Sequence, residues 1–192
     1  MNAQLFEAIT SGYQEMVCEM LNQGADVNGA DNDGVTALMV AAQVGRLEFV
    51  KDLLNRSAKL HARNKYGGNA LMRAAAGGHL AVVVELLEKG AAVNAQTVEG
   101  RTCLMFAAQK GYVEVVRMLL DYGADINAAN MYHRTSLMMA VRHGHAEVVR
   151  ELLDRGADLV HKNDEGDSAL KIAKTKENAD IIVMLEADGA EE

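Results

Sequence analysis

The chain has 192 residues, enough for one ordinary domain or a stack of about six small repeats, and 49% of them are hydrophobic, so a buried core rather than disorder is expected. Aromatics make up only 4%, Trp and Pro are absent, and 17 glycines must carry the punctuation that proline often supplies. A formal net charge of −8 argues against general binding to nucleic acid or anionic membranes unless the charge is segregated on the surface.

A core of Ala, Leu, Val and Met suits short, closely packed helices better than a sheet sandwich. Self-comparison supplies the plan. Gly34, Gly67, Gly100, His133 and Gly166 recur at a step of 33, as do Ala8, Ala41, Ala74, Ala107, Ala140 and Ala173. Gly12, Gly45, Gly78, Gly111 and Gly144 keep the same step, and so do Leu21, Leu54, Leu87, Leu120 and Leu153. The chain therefore divides into 1–29, then 30–62, 63–95, 96–128 and 129–161, then 162–187, with a tail 188–192 expected to be disordered.

Each period has the same grammar, clearest in the fourth. Thr102 stands where an N-cap hydroxyl would meet free backbone N–H groups, and an apolar helix runs from Cys103 until Gly111 stops it. A second helix begins at Tyr112 and stops at Gly123, with Val113, Val116, Leu119 and Leu120 expected on its buried face. The segment from Ala124 to the next glycine position has no helical period and reads as an extended turn. One such helix pair cannot bury its apolar face alone, so neighbours must stack.

These residues closely resemble the ankyrin repeat, whose pattern runs G-x-T-P-L-H-x-A-A-x-x-G-H and then V-V-x-x-L-L-x-x-G-A-D-V-N-A. The resemblance covers nearly the whole chain and implies an all-α solenoid of stacked helix–turn–helix units with protruding β-hairpin-like turns. Segment 1–29 lacks the leading turn and reads as an N-terminal cap repeat; 162–187, with Glu177 in a glycine place and Glu186 in a leucine place, reads as the C-terminal cap. Four boxes depart from the family: Thr36-Ala-Leu-Met39, Asn69-Ala-Leu-Met72, Thr102-Cys-Leu-Met105 and Thr135-Ser-Leu-Met138. The family's histidine there ties neighbouring turns together, whereas Met offers apolar packing alone. Ser57 and His133 also replace glycines, and each must accept the conformation that glycine supplies. Asn28, Asn94 and Asn127 are expected to fix their turns.

The resemblance further implies that a protein partner binds the concave surface made by the turn tips and the ends of the first helices. Carried over position by position, Lys65, Tyr66, Lys89, Arg101, Lys110, Tyr122, Met131, Tyr132, Arg134, Arg142, His143 and Arg155 are the candidate partner-binding residues. Together with Lys162 they make repeats three to five basic and tyrosine-bearing, opposed by one acid, Glu99. The acids crowd the second helices instead, at Glu85, Glu88, Glu114, Asp121, Glu147, Glu151 and Asp154. A partner with an acidic or aromatic-accepting surface is expected, bound by a monomeric adaptor or scaffold. The alternatives are an inhibitor of the immunity type that occludes one enzyme and, more remotely, nucleic acid held by the basic face.

Other chemistries find little support. Arg142-His-Gly-His145, with His133 nearby, hints at a metal site, but no carboxylate or Cys completes the set. Ala76-Gly-Gly-His79 lacks the phosphate-loop pattern, and no nucleophile elbow or HExxH occurs, so neither a cofactor nor catalysis is expected. Cys18 and Cys103 show no paired spacing and read as thiols in a reducing compartment. With no signal-peptide pattern and no long apolar run, a cytoplasmic protein is expected, or a nucleocytoplasmic one if the source is eukaryotic.

Overall fold

The structure is a computed structural model that describes residues 2–191. Met1 and Glu192, the first and last positions of the expected cap and tail, lie outside the described residues. The chain forms two compact units, 1–92 and 93–192. The first contains α1 (Asn2–Ser11), α2 (Gln14–Asn22), α3 (Ala37–Gln43), α4 (Leu47–Asn55), α5 (Ala70–Gly77) and α6 (Leu80–Glu88). The second contains α7 (Cys103–Lys110), α8 (Val113–Asp121), α9 (Ser136–Arg142), α10 (Ala146–Asp154), α11 (Ala169–Thr175) and α12 (Ala179–Ala187).

Within each unit, every first helix packs on the second helix of its own repeat and on the first helix of the next. The fold is thus all-α, built of stacked helix–turn–helix units as expected. The first helices α3, α5, α7, α9 and α11 start at side-chain caps: the Thr36, Asn69, Thr102, Thr135 and Ser168 oxygens accept from the N–H three residues on. The turns between repeats are closed by pairs such as Asn130 N–H to Arg134 C=O, with isolated β-bridges at Ala30–Thr36 and Ala129–Thr135. Side chains of Asp31, Asn64, Asn130 and Asn163 each accept two further N–H groups inside their turn.

The four box methionines, Met39, Met72, Met105 and Met138, are buried, as are the Ala and Leu beside them on the first helices. Hydrogen bonds between repeats are made elsewhere. His79 Nε2 lies 2.9 Å from Gln43 O, and His145 Nε2 lies 2.9 Å from Gln109 O. Asn28 donates to Ser57 O (3.3 Å) and accepts from Lys59 N–H (2.7 Å); Asn94 donates to Gly123 O (3.0 Å) and accepts from Asp125 N–H (2.8 Å). Asn127 accepts from Asp158 N–H at 2.9 Å. These asparagines therefore brace the following repeat's turn rather than their own.

The sequence reading and the structure differ over the face of α8. The buried face of α8 is Val115, Val116 and Leu119, while Val113 and Leu120 are only half-buried. The face turns because the core lies between α7 and the next repeat's outer helix, not under α7 alone. In α12 the leucine that enters the core is Leu185, so Glu186 sits at the rim and pairs with Lys174 at 3.6 Å. Ser57, His133 and Glu177 do take left-handed backbone, with φ of 65°, 52° and 56°. Past α12, Asp188 pairs with Arg150 of the fifth repeat at 3.0 Å, and Ala190 is buried with its N–H donating to Leu185 O of the sixth, so the segment read as a tail is held against the stack up to that residue.

Candidate protein-binding surface

The candidate residues fall in three places: the turn tips, the ends of the first helices and the ends of the second helices. In the first unit, Lys65 and Tyr66 occupy a tip. Lys65 Nζ is 2.6 Å from Asp33 Oδ1 and 4.9 Å above the Tyr66 ring, and the hydrogen bond to Asp33 raises its pKa. Its backbone N–H also donates to Asp33 O at 2.8 Å, which ties consecutive tips together. Tyr66 is 56% exposed. Lys89 is elsewhere, at the C-terminal end of α6 and 3.9 Å from Glu85.

In the second unit the tips carry Arg101, Met131, Tyr132 and Arg134. Arg101 is half-buried, with its guanidinium 4.1 Å over the Phe106 ring and Nη2 donating to Gln109 Oε1. Desolvation lowers its pKa, with Glu99 opposing, and its buried Nε has no hydrogen-bond partner. Arg134 lies 5.6 Å over Tyr132 and 2.7 Å from Glu165, again with an unpartnered buried Nε. His133 Nδ1 is 2.5 Å from Asp164 Oδ1. The acids of the sixth tip thus engage His133 and Arg134 of the fifth, a pairing that counting Glu99 alone overlooks. Met131 is 57% exposed, and its N–H donates to Glu99 O at 2.9 Å.

The first-helix ends present Lys110, Arg142 and His143, all exposed. Lys110 and Arg142 form no ion pair and no side-chain hydrogen bond among the described residues. His143 and His145 stack with ring centroids 6.2 Å apart, and each turns a ring nitrogen to a backbone carbonyl, Met139 O and Gln109 O. Those bonds hold the two rings against the backbone at the ends of α9 and α7.

Tyr122 and Arg155 close the second helices α8 and α10. Arg155 bonds Asp121 (2.7 Å) and Glu151 (3.0 Å), and Arg117 bonds Glu151 and Glu114, both at 2.7 Å. Asp121 chiefly raises the pKa of Arg155, and Glu151 that of Arg117. Arg155 and Lys89 therefore belong to the charge lattice of the acidic outer helices, apart from the tips. Sequence reasoning passed over two cations of the inner helices. Arg73 is half-buried and donates to Gln43 Oε1, and burial lowers its pKa. Lys176, exposed and unpaired at the end of α11, stands one 33-residue step beyond His143; the step itself would have found it, had repeat six not been read only as a cap.

Capped helix pairs stacked through invariant small residues, with exposed side chains that change from tip to tip, define a repeat scaffold for macromolecular recognition. The chain belongs to the ankyrin repeat family: a model of ankyrin repeats (3 copies) matches residues 3–64 and 57–130, and one of ankyrin repeats (many copies) matches 128–173. Ankyrin repeats serve generally as protein–protein interaction modules, and this chain is built of them. Among the described residues no helix is long and apolar enough to cross a membrane.

Proposed function

We propose that the chain is a monomeric, non-catalytic adaptor that binds a partner protein on the turn tips and first-helix ends of repeats three to five. The observation that carries this is the unequal use of charge. Arginines on the second helices are engaged with acids, whereas Lys110 and Arg142 stand exposed with no ion pair or side-chain hydrogen bond among the described residues. Tyr66, Met131 and Tyr132 stand exposed at the tips. Exposed aromatics and Met beside a cation suit a partner surface that is acidic and accepts apolar rings. The tip arginines Arg101 and Arg134, held over the Phe106 and Tyr132 rings, are preorganised, so little side-chain freedom is lost on binding. Both cysteines are free thiols, which accords with a cytoplasmic location.

The test is capture of the partner from native lysate by the wild type and by the double variant Lys110→Glu with Arg142→Glu. Both side chains are free in the unbound protein, so helical CD and unfolding midpoint should not change. Loss of the captured protein is expected. Equal capture by both forms overturns the assignment.

A further inference from the structure

In the second unit, consecutive first helices end side by side. Gln109 O, in the last turn of α7, faces His145 Nε2 at 2.9 Å. Val141 O, in the last turn of α9, accepts from Asn178 Nδ2 at 3.3 Å. Each of these ends carries a cation within two neighbouring positions: Lys110 on α7 and Lys176 just past α11 share one column of the 33-residue step, with His143 between them, and Arg142 on α9 stands one residue before that column. All three cations are exposed, and among the described residues none has an ion pair or side-chain hydrogen bond. The matching positions of the first unit hold Thr10 and Ser11, Gln43 and Val44, and Ala76 and Gly77. Helices α3 and α5 thus end without a cation. Compensation of the helix dipole is therefore not a requirement of this repeat, and the row in the second unit asks for another explanation.

Geometry restricts what could use all three charges together. Helices packed side by side are about 8–10 Å apart. A polyproline-II segment has three residues per turn and advances about 3.1 Å per residue, so every third side chain returns to one face after about 9 Å. A β-strand alternates faces instead and cannot present every third residue to one surface. We propose that Lys110, Arg142 and Lys176 receive an extended, polyproline-II-like segment of the partner that bears Asp or Glu at every third position. This rests on the protein-binding reading above and adds Lys176, hence the sixth repeat, to the surface. A peptide fits better than a nucleic acid strand, because the net charge of −8 and the acidic outer helices oppose a longer polyanion.

Two fluorescein-labelled peptides of equal composition test the spacing: Glu-Pro-Ser-Glu-Pro-Ser-Glu and an isomer with its three glutamates contiguous. Anisotropy titrations with the full chain should show the spaced peptide binding several-fold more tightly. Lys176→Gln, which removes no intramolecular contact, should weaken it by about threefold, the size of one exposed charge pair. Equal affinity for the two isomers, or no effect of Lys176→Gln, overturns the row. The protein-binding reading still stands in that case if Lys110→Glu with Arg142→Glu abolishes capture of the native partner, and falls only if capture persists. A labelled oligothymidylate that binds more tightly than the spaced peptide, through the same three cations, overturns the peptide assignment in favour of nucleic acid.

Discussion

Asn94 is the place to test how the repeats hold one another. Its side chain makes two bonds to the next turn, donating to Gly123 O at 3.0 Å and accepting from Asp125 N–H at 2.8 Å. A hydrogen bond contributes about 0.5–1.5 kcal/mol net, and Asn94 is exposed, so Asn94→Ala should cost about 1–2 kcal/mol. One step earlier the position holds His61, whose ring has no hydrogen bond among the described residues. The amide it would have to reach, Ala92 N–H, is likewise unpartnered, whereas Lys59, Asp125 and Asp158 N–H each donate to an asparagine. His61→Asn should therefore restore the brace and gain about 1 kcal/mol. Urea unfolding followed by far-UV CD reads both. With a slope of about 2 kcal/mol per molar, each change moves the midpoint by roughly half a molar, in opposite directions. A midpoint for His61→Asn that stays put or falls, while Asn94→Ala is costly, would falsify the idea that the brace is a transferable property of the repeat.

Two other outcomes follow from the backbone and the core. Ser57 holds φ at 65° with its exposed side chain unbonded, so Ser57→Gly should relieve about 1 kcal/mol of left-handed strain and, after the greater freedom of Gly in the unfolded chain, gain about 0.5 kcal/mol. At the matching Gly123 a Cβ would meet nothing within 4 Å, so Gly123→Ala should lose about 1 kcal/mol from conformation alone; the same unfolding curves check both, and a loss in Ser57→Gly contradicts the account. Burial pushes the Cys103 thiol up to about 12, while the unfolded thiol ionises near its ordinary value of 9.0. Above pH 9.0 the unfolded state therefore gives up a proton that the folded state keeps, and stability contributed below that pH is lost as pH rises toward 12. Midpoints measured across this window should fall more steeply for the wild type than for Cys103→Ala, and parallel slopes would refute it.

Most of the scaffold could be read from the chain because its signals are local and repeated. Thr102 caps, Gly111 stops, and the box methionines fill the core as their spacing requires. The face of α8 was harder, since Val115 and Leu120 differ in burial only through what packs on them from the neighbouring repeat. The candidate site was legible as a set of positions but not as a set of free charges. Arg155 and Lys110 look alike in sequence; one spans two acids on the outer helices, and the other has no partner. That distinction depends on residues about one repeat away, such as Asp121 for Arg155 and Glu165 for Arg134. Spacing within a repeat carries no record of them.

The asparagine and histidine bonds described for the fold each reach 29 to 36 residues along the chain. Donor and acceptor therefore sit in different copies of the same 33-residue text. A tandem duplication of the copy 63–95, which carries both His79 and Asn94, would reproduce both halves of its bonds, in register, without a single new mutation. An insertion of another length inside a copy would separate them. An array of this kind can lengthen or shorten by whole repeats over evolutionary time, and each added copy would bring one more position at a first-helix end to vary.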